Sequence, residues 1–129
     1  MLRKTLRLFA ALSMFAIAPA YAAPHAPTCA EEIGRGVASW YGPGFEGAKT
    51  MSEEIFNPET LSAAHPSLPF GTVVRVTNMR NQRSVLVRVN DRGAFAKERV
   101  IDVSESAARQ LGMIEDGTAA VALYKCRSR

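Results

Sequence analysis

Three stretches of the chain alternate apolar and polar residues with a period of two: GVASWY at 36–41, TVVRVTN at 72–78 and SVLVRVN at 84–90. Side chains on a strand point to opposite faces in turn, so this pattern predicts strands with one buried face. RVIDVS at 99–104 and TAAVALYK at 118–125 add two more short runs, and Arg80-Asn81-Gln82 is placed to join the second and third runs as a hairpin. Between the last two strands the period lengthens. Ser104 is positioned to cap a helix, ESAARQL sets Ala107, Ala108 and Leu111 at helical spacing, and Gly112 stops it. Asn57-Pro58-Glu59 predicts a second short turn, with Asn as cap and Pro at the first helical position. Short strands with one or two short helices predict a mainly β domain, a small barrel or a sandwich.

The N-terminus follows a different pattern. Arg3, Lys4 and Arg7 precede the apolar run LFAALSMFAIA, and Ala20-Tyr21-Ala22 stands before Ala23. This is the form of a secretory signal peptide over residues 1–22. The apolar run is shorter than the roughly 20 residues that span a bilayer, so no integral membrane segment is expected. Residues 23–33, APHAPTCAEEI, with Pro24 and Pro27, predict a flexible lead-in, and residues 34–129 are assigned to the barrel-like domain.

Export changes the reading of charge. The full chain carries 16 Lys+Arg against 12 Asp+Glu, and removing Arg3, Lys4 and Arg7 leaves 13 against 12. A nearly neutral exported domain is a poor candidate for nucleic-acid binding, so no nucleic-acid partner is expected. Cys29 and Cys126, near the two ends of the exported portion, suggest a disulfide. The alternative, a lipid on Cys29, meets Pro27-Thr28, which lacks the small-residue character of a lipobox.

Several motifs are excluded by context. GPGFEG at 42–47 matches G-x-G-x-x-G but leads into no helix of a βαβ unit, and reads as a glycine-rich turn. His25 lies in the lead-in, His65 stands alone, and neither CxxC nor HExxH occurs, so neither a metal nor another cofactor is expected. No G-x-S-x-G nucleophile elbow is present.

The remaining candidates are polar residues at predicted strand exits: Glu54 in TMSEEIF, His65 in LSAAHPSLPFG and Asp91 in VNDRGAF. Each has an ordinary reading. Glu54 fits a solvated loop, His65 precedes Pro66 and is held extended, and Asp91 fits a turn with Gly93 or an ion pair with Arg92. Against the turn reading, Asn90, Asp91, Arg92 and Gly93 cluster where an apolar strand ends, which is where rigid scaffolds present chemistry.

GVASWYG, the spacing T-x-x-x-E, LSAAHPSLPFGTVVRV and VNDRGAF followed by ERVIDVSESAARQLGM resemble the rare lipoprotein A family of septal-ring lytic transglycosylases. The resemblance covers roughly residues 34–124. It implies a six-stranded double-psi β-barrel and an endolytic enzyme of the cell wall. Such an enzyme cleaves the β-1,4 bond between N-acetylmuramic acid and N-acetylglucosamine without water, leaving 1,6-anhydro ends. It also implies peptidoglycan glycan strands as partner, a periplasmic or secreted location and a monomer.

On the family pattern Asp91 takes the position of the acid/base, His65 that of a residue orienting it or binding sugar, and Glu54 a supporting role. Asn90, Arg92 and Tyr41 are the expected substrate contacts, while Trp40 is assigned to the core. The chain departs from the pattern at Met51-Ser52-Glu53, where the family prefers Ala-Asn-Gly, and at Ala94, where it prefers Pro. Two other readings remain open. One is an expansin-like module that binds polysaccharide without cutting it; the other is a hydrolase with Glu54 as second carboxylate.

Overall fold

The computed structural model describes residues 5, 7–20 and 26–127. Part of the segment read as a signal peptide, with Tyr21 and Ala22 of its expected cleavage site, the start of the lead-in with His25, and the last two residues of the 34–129 domain therefore lie outside the described residues. Six strands, β1 (Thr28–Trp40), β2 (Ser62–Ala64), β3 (Val73–Asn78), β4 (Ser84–Asp91), β5 (Arg99–Val103) and β6 (Thr118–Arg127), close into a barrel in the order β1-β5-β2-β4-β3-β6. Closure leaves no free edge, which suits a small β domain. Two of the pairings, β1 with β5 and β2 with β4, are parallel and the others antiparallel.

The alternation in the sequence is realised on the inner face. Val74 and Val76 of β3 stand opposite Val87 and Val85 of β4, all four buried, while Thr77 and Ser84 face outward and share a hydroxyl hydrogen bond of 2.8 Å. Ile101, Leu123 and Val121 complete the filling, each such side chain contributing about 1.5–3 kcal/mol of burial. The helix α1 (Glu105–Leu111) packs Ala107, Ala108 and Leu111 onto this core. Ser104 caps it by accepting from the Ala107 amide, and Gly112 ends it at φ 69°. Asn78 and Asn81 both donate to the Leu111 carbonyl at 2.9 Å, so the predicted hairpin connection satisfies the end of the helix.

Three expectations change. The lead-in is not flexible from residue 28: Thr28–Ile33 is the first half of β1, paired with β6 and tied to it by the Cys29–Cys126 disulfide. The second short turn forms no helix. Asn57 Oδ1 accepts from Glu59 N and Asn57 O from Thr60 N, a side-chain-stabilised turn, so α1 is the one helix among the described residues. The strand β2, absent from the predicted elements, sits in the middle of the barrel and is buried throughout. No helix among the described residues is long and apolar enough to cross a membrane.

Candidate active site

The buried alternation of β4 breaks at its end, where Val89 and Asn90 are both buried and Asp91 emerges. In register, Ala64 of β2 lies beside Asp91 on one side and Asp102 of β5 on the other, and Asp102 in turn pairs with Ser39 of β1. Four adjacent strands thus present Ser39, Asp102, Ala64 and Asp91 in one row. Adjacent strands lie about 4.8 Å apart, so the backbones of the two aspartates are separated by about 10 Å.

Asp91 is held at both oxygens. Oδ1 accepts the amides of Met51 and Arg92, each at 2.9 Å, and Oδ2 accepts the Tyr41 hydroxyl at 2.7 Å. Tyr41 continues directly from β1, and its ring packs against Phe45 and Phe56 with centroids 5.5 and 4.7 Å away. Burial, then the hydrogen bond to Asp91, pushes the Tyr41 hydroxyl well above the ordinary tyrosine range, so it stays a protonated donor. A cleft of about 330 Å³ opens over this group, lined by Tyr41, Phe45, Lys49, Met51, Asp91 and Asp102 among others.

The wall opposite the barrel is a small hairpin over residues 47–56. Gly47 N donates to Phe56 O, Phe56 N to Ala48 O and Thr50 N to Glu54 O, and Glu53 turns the tip at φ 71°. This left-handed position is the one where the family pattern has Gly, the residue that reaches such a φ at no steric cost, and here Glu53 occupies it. Ser52 N donates to Asn90 O at 3.3 Å, which clamps the tip to the end of β4.

The other expected site residues fall around Asp91 without lining its cleft, except Arg92. Glu54 accepts from Arg88 at 2.5 Å and from the Asn90 amide at 3.2 Å, both at Oε2, and these donors hold its carboxyl below the usual range. Asn90 is thus buried and its amide committed to Glu54, which makes it a brace for the hairpin; direct sugar contact is not what its surroundings favour.

His65 is joined to Asp91 through the backbone, its N donating to Asp91 O at 3.1 Å. Its ring faces its own loop: Nδ1 accepts from Ser67 N and Leu68 N, each at 3.1 Å, which places the ring proton on Nε2. Burial, then the nearby Arg92 cation, lowers its pKa below the ordinary histidine value.

Arg92 forms no ion pair with Asp91. Its guanidinium donates to the carbonyls of Leu68 at 2.7 Å and His65 at 3.4 Å and lies 4.1 Å over the Phe70 ring. It fastens the 65–70 loop, and only its amide serves Asp91. Trp40 is partly buried against the core, as expected.

The residue not singled out from the sequence is Asp102. It lines the cleft, accepts from Ser39 Oγ at 2.6 Å and pairs with Arg99. In RVIDVS it reads as the polar position of an alternating strand; its place in the family string R-x-I-D-L-S is the signal that could have marked it.

The fold is shared with other proteins. Residues 33–123 match the family described as lytic transglycolase, and the chain belongs to that double-psi β-barrel family. The endolytic peptidoglycan transglycosylase RlpA of Campylobacter jejuni is 54% identical over 92 residues, covering 71% of this chain and 34% of that protein. The probable endolytic peptidoglycan transglycosylase RlpA of a Nostoc species is 62% identical over 89 residues, covering 67% of this chain and 24% of that one. The chain spans between 24% and 38% of the length of such relatives.

Two solved structures share the fold. Streptomyces papain inhibitor superposes with a TM-score of 0.58 at 19% identity, covering 77% of this chain and 97% of its own. A mutant Clavibacter michiganensis expansin in complex with cellohexaose superposes with a TM-score of 0.59 at 21% identity, covering 74% of this chain and 50% of its own.

Proposed function

We propose that the chain is an exported endolytic lytic transglycosylase acting on peptidoglycan glycan strands, with Asp91 as the acid and base. The observation that carries this reading is the asymmetric fixing of Asp91. With Oδ1 occupied by two amides, we assign the transferable proton to Oδ2, the oxygen beside Tyr41, on a residue that lines the cleft.

In the reaction, Oδ2 gives its proton to the glycosidic oxygen as the bond from the muramyl C1 breaks. The C6 hydroxyl oxygen then bonds to C1, and its proton returns to Oδ2. No water is consumed, and one carboxylate serves both steps. The hydrolase reading needs a second carboxylate free to act on water. Glu54 is committed to Arg88 and Asn90, and Asp102 to Ser39 and Arg99, which favours the single-carboxylate chemistry.

His65, with its proton on Nε2, can donate to a sugar oxygen. Tyr41 contributes through its hydrogen bond to Asp91, and its place in the cleft lining supports the expected sugar contact as well. The location this requires, periplasmic or extracellular, agrees with the basic and apolar N-terminal segment.

The test is digestion of purified sacculi with the exported form of the chain, followed by mass spectrometry of the soluble muropeptides. Anhydro ends from the wild type and their loss with Asp91→Asn are expected. Binding to sacculi with no new chain ends would move the reading to a polysaccharide-binding module, and new reducing ends to a hydrolase.

A further inference from the structure

Asp102 already holds protein donors on both oxygens. Oδ1 accepts from Ser39 and pairs with Arg99, which itself donates to Ser39 Oγ at 2.5 Å; Oδ2 accepts the amide of Ala94 at 3.1 Å. Its side chain is 15% exposed. A carboxylate so engaged is a good anchor.

What it anchors is unusual. Ala94 is buried and sits at φ 64°, a conformation a non-glycine residue keeps only where its surroundings impose it. Gly93 passes close by: a β-carbon there would lie 3.1 Å from Ala64 Cβ and 3.2 Å from Asp102 Oδ2. The family pattern has proline at position 94, and proline neither reaches a positive φ nor offers an N–H. Alanine at this position is what allows the bond to Asp102 to exist.

We propose that Asp102 is a positioning residue for Asp91, acting through the turn of Arg92, Gly93 and Ala94. Ser39 and Arg99 hold the carboxylate, and the carboxylate holds the Ala94 amide. The turn so fixed delivers the Arg92 amide to Asp91 Oδ1, so that Oδ2 is the oxygen presented to the cleft. The two aspartates, on either side of Ala64 in register, communicate through this turn.

The catalytic part of the test rests on the transglycosylase reading; a second part does not. Asparagine at 102 has one acceptor and one NH2, so in either orientation an N–H faces the Ala94 amide or the Arg99 guanidinium. Asp102→Asn is expected to lower kcat about tenfold to a hundredfold with KM little changed, as displacement of a reacting group does. The double variant Asp102→Asn/Ala94→Gly is expected to recover most of that loss, because glycine reaches the positive φ at position 94 without the steric cost that the Asp102 bond offsets for alanine.

Independently of activity, the Ala94 amide is expected to exchange its hydrogen faster in Asp102→Asn than in the wild type. A second variant guards against a folding defect in the first: Gly93→Ala sets a methyl 3.2 Å from Asp102 Oδ2 and 3.1 Å from Ala64 Cβ, which crowds the bond between Ala94 N and Oδ2 and is expected to give the same faster exchange. A loss equal to that of Asp91→Asn with no recovery in the double variant would overturn the proposal, by making Asp102 a group that touches substrate. Unchanged Ala94 exchange in both single variants would overturn it as well, even if the wild type made no anhydro ends.

Discussion

Tyr41 and Asp91, 50 positions apart in the chain, meet at 2.7 Å where β1 and β4 leave the barrel. The phenol donates to Oδ2, the oxygen left free by the two amides on Oδ1, and its ring is wedged between Phe45 and Phe56. Tyr41→Phe removes the hydrogen bond and little else. Hydrogen bonds to charged groups contribute about 1.5–3 kcal/mol, so turnover on sacculi should fall by about tenfold to a hundredfold. The same bond contributes to folding, so the thermal midpoint should fall as well, by roughly 4–8 °C for each kcal/mol lost, although the ring packing remains. Kinetics on sacculi and a thermal melt of the same preparation check both halves.

His65 gives the barrel a pH dependence of definite sign. Its pKa is lowered in the folded chain by burial and by Arg92, and Nδ1 is already an acceptor for the Ser67 and Leu68 amides. The unfolded chain therefore binds a proton more readily, and stability falls as the pH drops below the ordinary histidine value of 6.5. The contribution is fully present above that value. His65→Gln should flatten this part of the profile, leaving the losses due to carboxylates such as Glu54 at lower pH. Urea midpoints measured from neutral to mildly acidic pH for both proteins decide it; parallel curves would remove His65 from the account.

Five strands and the helix were legible because each has its own period and stop signals. Val73–Asn78 and Ser84–Asp91 alternate, and Ser104 and Gly112 bracket Glu105–Leu111. The strand Ser62–Ala64 was not, because three small residues buried between two neighbours have no periodicity to read. It also lacks the β-branched residues that usually mark a strand, being Ser62, Ala63 and Ala64.

The same limit applied to the site. Asp91 announced itself by breaking an alternation, whereas Asp102 obeys one, and only the register through Ala64 sets them in the same row. The direction of a side chain was equally hidden. Arg92 turns to Leu68 and Phe70, and Asn90 turns inward to Glu54, because loops remote in sequence supply their partners.

The Cys29–Cys126 bridge closes a loop with a sequence separation of 97 and joins the start of β1 to the end of β6. Loop-closure entropy assigns such a crosslink about 4–5 kcal/mol, a large share of the net stability of a domain of this size. Reduction, or the paired change Cys29→Ala/Cys126→Ala, should lower the unfolding free energy by up to that amount. The pairing of Thr28–Glu32 with β6 should loosen first, because register irregularities already interrupt it between Thr28 and Glu31 and between Glu32 and Gly34. Chemical denaturation of oxidised and reduced protein measures the first effect, and amide exchange along β1 the second.

Glu53 is the plainest case of a residue in a conformation it does not favour. At φ 71° it turns the tip of the hairpin whose next residue but one upstream, Met51, donates to Asp91. A left-handed residue other than glycine costs about 1–2 kcal/mol, of which the greater freedom of glycine in the unfolded chain takes back a part. Glu53→Gly should therefore raise the unfolding free energy by roughly 0.5–1 kcal/mol. Glu53→Ala should do nothing of the kind, because alanine keeps the β-carbon that causes the crowding. The Thr50–Glu54 hydrogen bond and the contact of Met51 N with Asp91 are backbone donations, so the glycine variant should retain cutting activity on sacculi. Stabilisation by alanine equal to that by glycine would locate the cost in the exposed charge of Glu53 and not in its backbone.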